Sequence, residues 1–155
     1  MNVVQWFWII FLAMMPISEL RGAIPLALLK YNMNPYVAIP AIILFNFLPV
    51  PLILLLLNPV ERWLRRWAFW GNLMDKIFER TRSRTRKSIE KWETLALIIF
   101  VAIPLPVTGA WTGSLAAYLF GLDFKKSLVC IFAGICTAAF IVTLATLTGI
   151  KILGL

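Results

Sequence analysis

Glu19 and Arg21 place a carboxylate and a guanidinium two residues apart inside a run that is otherwise nearly all apolar, from Val3 to Leu29. A charged side chain near the centre of a bilayer costs roughly 2.5–3.5 kcal/mol, so such residues face a cavity or a partner and mark a pathway. Arg21 is a permanent cation whose forked donors suit phosphate or carboxylate. Glu19 is a carboxyl whose charge would follow the side of the membrane it meets, and Ser18 and Gly22 flank the pair. A second polar stretch, Val107 to Ser114, adds the hydroxyls of Thr108, Thr112 and Ser114, the indole N–H of Trp111 and the bare backbone of Gly109. A short helix starting there would offer unpaired N–H groups and the positive end of its dipole, an anion site. Asn46, midway along a third apolar run and at matching depth, reads either as helix-packing glue or as a further ligand. The chemistry these residues suit is anion binding with a proton switch. Arg21 holds the anion while Glu19 is protonated, and a deprotonated Glu19 competes for Arg21 and expels it.

The elements that position these groups belong to a membrane. Hydrophobic residues make up 61% of the chain, mean hydropathy is +0.88 and 14% of residues are charged, against about 25% in soluble domains. A soluble core of this size could not hide that much apolar surface. Val3 to Met15 is too short to cross before Pro16, since a span takes about 20 residues, and Ala23 to Leu29 is shorter still. Together they read as a hairpin that enters and leaves on one side, with Pro16, Gly22 and Pro25 allowing non-helical backbone at its tip. Residues i and i+2 of a helix point about 200° apart, so Glu19 and Arg21 can share a cavity only if that tip departs from helix. The competing reading is one kinked transmembrane helix from Val3 to Leu29.

Asn34-Pro35 reads as an N-cap with proline at the first helical position, starting a span to Leu57 that Pro40, Pro49 and Pro51 would bend. Residues 58–93 hold ten of the chain's fifteen lysines and arginines. Trp63, Trp67, Trp70, Met74 and Ile77 recur there on one helical face, the pattern of a basic amphipathic helix lying in the interface. The positive-inside rule places this segment in the cytoplasm, and that account displaces nucleic-acid binding. Leu95 to Ile103 is again short and ends in Pro104 and Pro106. The polar tip follows, then Leu115 to Leu122, a helix start at Asp123 and a long apolar helix.

The fold expected is therefore an all-α integral membrane protein, an inverted repeat of two re-entrant helical hairpins and two transmembrane helices. Residues 1–57 form repeat 1 (hairpin 3–29, span 35–57), 58–93 the cytoplasmic linker, and 94–155 repeat 2 (hairpin 95–122, span 126–150). A hairpin returns the chain to its own side and a span crosses once, so the copies are inverted and both termini lie outside. Inverted repeats with broken helices meeting near the midplane are a recurring plan of secondary transporters.

At these motifs the sequence resembles a known family. Ser18-Glu19-Leu20-Arg21-Gly22-Ala23-Ile24-Pro25, with Pro104-Leu105-Pro106-Val107-Thr108-Gly109-Ala110-Trp111-Thr112-Gly113 and Gly121, is similar to the putative small multidrug export protein family, distantly related to DedA-like membrane proteins. The resemblance implies two oppositely inserted re-entrant hairpins, two spanning helices, and essential acidic and arginine residues near the tips, roles that fall on Glu19 and Arg21. In DedA-like relatives it implies movement of lipid-linked phosphates such as undecaprenyl phosphate, driven by ion gradients. The second tip here has no arginine.

Three readings follow. The first is an ion-coupled transporter or flippase for an amphiphilic anion such as a polyprenyl phosphate, the second a proton-coupled exporter of cationic or lipophilic drugs, and the third a non-transporting membrane scaffold. With no histidine, no nucleophile beside a base, no metal cluster and no phosphate-cradling loop, the chain does not read as an enzyme. No cofactor or metal is implied beyond a proton or sodium as coupling ion. The expected partners are the lipid bilayer of the plasma membrane and an anionic lipid or small-molecule substrate. The chain is expected to be multi-pass, and the small-residue patch at Gly134 and Ala138 is compatible with a homodimer. Cys130 and Cys136 lie on different faces of one helix and cannot bridge. The N-terminus lacks the basic region and cleavage site of a signal peptide.

Overall fold

Pro16, Pro25, Pro35, Pro49 and Pro104 stand at changes in the helical path, whereas Pro40 and Pro51, expected to bend the first span, lie inside continuous helices. The computed structural model describes residues 2–64, 87–105 and 108–153. Helix α1 (Val3–Met14) ends at Met15, which is extended, and a short turn through Pro16 leads to α2 (Glu19–Pro25). Pro25 lacks an N–H, and a wider π turn, Leu26–Lys30, follows directly. Helix α3 (Pro35–Phe47) starts as expected, with Asn34 Oδ1 accepting from the Tyr36 amide at 2.9 Å. Leu48 separates it from α4 (Pro49–Leu64). Helices α5 (Lys87–Ala102), α6 (Ala110–Leu119) and α7 (Phe124–Leu153) complete the chain, and no strand occurs among the described residues.

Helix enters both ends of the segment read as a linker, because α4 runs to Leu64 and α5 begins at Lys87. The interfacial helix expected from Trp67, Trp70, Met74 and Ile77 lies outside the described residues. Two stretches are long and apolar enough to cross a membrane, Pro35–Trp63 and Phe124–Gly149. Leu44, Leu52 and Leu55 on the first and Val129, Phe140 and Leu144 on the second face outward, an outer surface that suits lipid rather than water.

The core runs between the broken helices and α7. Ile9 and Ala13 of α1, Ala23 and Ile24 of α2, Ala38 and Ile42 of α3, Leu97 and Val101 of α5, and Ile131, Ile135 and Ala139 of α7 are all buried. Helix α2 packs against α1, α3 and α7, so α1 and α2 are two helices lying against each other and not one rod. Helix α6 packs against α4, α5 and α7. It ends in a Schellman motif: Gly121 takes φ +70°, its amide donates to the Tyr118 carbonyl at 3.0 Å, and the Leu122 amide donates to the Ala117 carbonyl at 3.1 Å. At α7, Asp123 pairs with Lys126 at 3.5 Å in the first turn. Gly134 and Ala138, read as an inter-copy patch, are buried inside the chain, where Gly134 faces Val101 and the Ile98 carbonyl of α5.

Candidate functional site

Two chain breaks 90 residues apart in sequence meet in one place. Glu19 begins α2 in the left-handed region, at φ +49°, a conformation rare for a residue with a side chain and concentrated at functional sites. This is the departure from helix that the Glu19–Arg21 spacing requires, and it falls on Glu19 itself rather than on Gly22. Glu19 is only 5% exposed. Its Oε2 accepts from the Ala110 amide at 3.3 Å and its Oε1 from the Trp111 amide at 3.4 Å. These amides are the first two of α6, so a side chain from one broken helix caps the N-terminus of the other. A carboxylate is the ligand that terminus favours, though both bonds are longer than the usual 2.9–3.0 Å.

The exchange is reciprocal. Trp111 Nε1 donates to the Met14 carbonyl at 3.0 Å, and Met14 is the last residue of α1. Each tip thus supplies what the other's helix end lacks. Arg21 donates to Thr108 Oγ1 at 3.3 Å, and that hydroxyl also bonds within its own loop, to the Ile103 carbonyl at 2.7 Å and to Leu105. Arg21 therefore turns to Thr108, while the Glu19 oxygens turn to backbone.

The other sequence-predicted residues divide into those at the junction and those apart from it. Gly109 is at its centre: a Cβ built there would overlap the Glu19 carboxylate. Thr112 Oγ1 accepts from the Gly109 amide at 3.1 Å, closing the first turn of α6. Ser114 is fully buried but donates to the Ala110 carbonyl of its own helix at 2.7 Å, so it adds no donor to the junction. Ser18 precedes α2 without a side-chain cap bond, and Gly22 lies one turn on, against the Ser18 hydroxyl. Asn46 is 1% exposed and neither amide atom has a partner. The α6 N-terminus expected as an open anion site is thus filled by the chain's own carboxylate, and the expected neutral donors bond within the protein.

Sequence reasoning missed several participants. The Met14 carbonyl and the Ala110 amide are backbone groups, with no side-chain signal to find. Tyr118 donates to Glu61 Oε2, tying the far end of α6 to α4. Its signal was present, because Trp111, Ser114 and Tyr118 share one face of α6. Glu61 is a second acid within an apolar stretch, since Pro35–Trp63 includes it.

Beside the junction, an apolar groove of about 340 Å³ is lined by Met14 and Trp111 on one wall and by Leu48 with Leu52, Ile53 and Leu56 of α4 on the other. Its volume is at the lower end for small-molecule sites, which are mostly apolar with few polar groups. Among the described residues, no cluster of His, Cys, Asp or Glu could hold a metal ion.

No curated protein and no solved structure matches the chain. A family described as putative small multi-drug export protein matches residues 19–141, from the Glu19 carboxylate of the junction through most of α7. The chain is a membrane protein belonging to that putative small multi-drug export protein family.

Proposed function

We propose that the chain is a proton-coupled membrane transporter in which the Glu19 carboxylate on α6 is the closed state, and in which an amphiphilic substrate replaces it. The observation that carries this reading is the buried Glu19 carboxylate bonded to the Ala110 and Trp111 amides. A site that holds one anion on two backbone N–H groups, with Arg21 two residues beyond Glu19, suits a second anion of the same kind once Glu19 is neutral. The adjoining groove suits the apolar part of the same molecule. A phosphate or carboxylate headgroup on a hydrocarbon chain, as in a polyprenyl phosphate such as undecaprenyl phosphate, fits both halves.

Helix lengths support the re-entrant plan. Helix α1 has 12 residues and α6 has 10, about 18 and 15 Å, against a hydrocarbon core of about 30 Å. Their ends meet in a buried polar junction, and lipid-exposed irregular backbone at that depth is not tolerated. We therefore read hairpins 3–29 and 95–122 as inverted copies in the plasma membrane, with residues 58–93 cytoplasmic and both termini outside.

One observation favours the second reading, export of cationic or lipophilic drugs. The groove is apolar and one wall includes Trp111, whose amide holds the Glu19 carboxylate, so a lipophilic amine in it would lie near an acid. Transport in proteoliposomes decides between them, with a long-chain alkyl phosphate and a quaternary alkyl amine as probes. The anion reading expects phosphate movement that depends on a pH gradient, is lost in Arg21→Ala, and loses its coupling but not phosphate binding in Glu19→Gln. Amine movement that survives Arg21→Ala and fails in Glu19→Gln supports the drug reading. Movement of either probe unaffected by both substitutions overturns the mechanism.

A further inference from the structure

Among the described residues, Asn46 is a fully buried side chain whose donor and acceptor are both left open by the closed junction. It is 1% exposed, and both Oδ1 and Nδ2 lack a partner. An unmade hydrogen bond in the interior is costly, and a buried primary amide leaves both a donor and an acceptor open. Asn46 shares the buried face of α3 with Ala38 and Ile42, at spacings of four, and α3 packs against α1, α2, α4 and α7.

Its level in the bundle follows from the chain path. Glu19 lies eleven positions before Lys30, where the π turn ends, and Asn46 lies eleven positions after Pro35, where α3 begins. Four residues join these two ends, and α2 packs against α3. At about 1.5 Å per residue, both side chains stand about 16 Å in from that connection.

The open amide suits a partner that both donates and accepts. A bare cation would use Oδ1 alone and an anion Nδ2 alone. A neutral carboxyl uses both, its O–H donating to Oδ1 while its C=O accepts from Nδ2. No other carboxyl of the described residues stands at this level. Helix α1 carries no ionisable side chain, α3 carries only Tyr36 in its first turn, and α2 with its π turn carries Glu19, Arg21 and Lys30. Helix α7 carries Lys125, Lys126 and Lys151 near its ends and the thiols Cys130 and Cys136 between them, and Glu61 and Arg62 lie at the far end of α4.

We propose that Asn46 is the second docking place of the Glu19 carboxyl. The anion caps α6; on taking a proton from water, the neutral acid leaves the Ala110 and Trp111 amides and pairs with the Asn46 amide, leaving the α6 N-terminus and Arg21 to substrate. The reverse step returns the proton to water. This rests on the transport reading above and supplies the resting place that reading lacks.

The test reads Glu19 directly and without substrate. In pH-difference infrared spectra of the protein in lipid, the protonated-carboxyl band absent from Glu19→Gln identifies Glu19. Asn46→Leu should move that band to higher frequency as the C=O loses its donor, and Asn46→Gln, which keeps the amide, should move it less. Thermal unfolding gives a second measurement. Asn46→Leu should raise Tm by a few degrees at high pH, where the amide is unpaired, and this gain should vanish at low pH. A band unchanged in both variants, or a Tm gain independent of pH, overturns the proposal. A shifted band in a protein that moves neither probe leaves the Asn46 pairing standing and overturns the transport reading instead.

Discussion

The Glu19 carboxylate occupies the volume in which a side chain on Gly109 would stand. Gly109 is extended there, a conformation open to any residue, so its glycine is explained by the closeness of Glu19 and not by backbone strain. Gly109→Ala is expected to push Glu19 off the Ala110 and Trp111 amides. Overpacking of this kind costs about 1–3 kcal/mol, and transport should fall by at least tenfold. Gly149→Ala is the control, because its Cβ would meet nothing within 4 Å; it should leave transport unchanged and stability equal or slightly higher. Unfolding temperatures and proteoliposome uptake check both.

Trp111→Phe keeps the ring in the groove wall but removes the donor to the Met14 carbonyl. The expected loss is about 0.5–1.5 kcal/mol, measured by thermal unfolding in detergent. The end of α1 should exchange its amide hydrogens faster, while α7 stays as protected as before.

Arg21 and Thr108 are joined by one long hydrogen bond but should fail differently. Thr108 also bonds to Ile103 and Leu105 in its own loop, so Thr108→Val should lower stability by about 1–3 kcal/mol. Arg21→Lys keeps the charge and loses the fork. It should leave the unfolding temperature nearly unchanged while weakening phosphate movement about tenfold, and equal effects from the two substitutions would remove Arg21 from the binding role.

Gly134→Val would press on Val101 Cβ, 2.6 Å from the added atom, and on the Ile98 carbonyl, 3.1 Å away. Both belong to α5 of the same chain. The substitution should destabilise by about 1–3 kcal/mol or more, and Val101→Ala should restore part of the loss in a double variant. The oligomeric state, read by light scattering, should not change, because this close approach is internal.

Much of the fold was legible because membranes make simple demands. The runs 35–57 and 126–150 read as spans on composition, and the membrane-length stretches Pro35–Trp63 and Phe124–Gly149 overlap them; prolines at 16, 25 and 104 read as breaks because the ring removes a helical donor. Asn34 and Asp123 read as helix starts, and both stand there. The ends of residues 58–93 were harder, since Glu61 and Arg62 look like loop to a hydropathy pattern, yet α4 carries both, with Glu61 held by Tyr118. The patch at Gly134 and Ala138 signalled close helix contact correctly but not with which helix.

The sequence by itself determined that an acid, a guanidinium and a hydroxyl-rich second tip would sit among apolar helices that break nearby, because each of those features is a property of side chains and prolines. Only the tertiary structure decided the pairings. Glu19 bonds to amides 91 and 92 positions away, Trp111 to the Met14 carbonyl, Arg21 to Thr108, and Asn46 to nothing. A backbone N–H is the same in every residue but proline, so nothing in the order of side chains marks which amide will be left open at a helix end. That is decided when two broken helices pack close enough for each to complete the other.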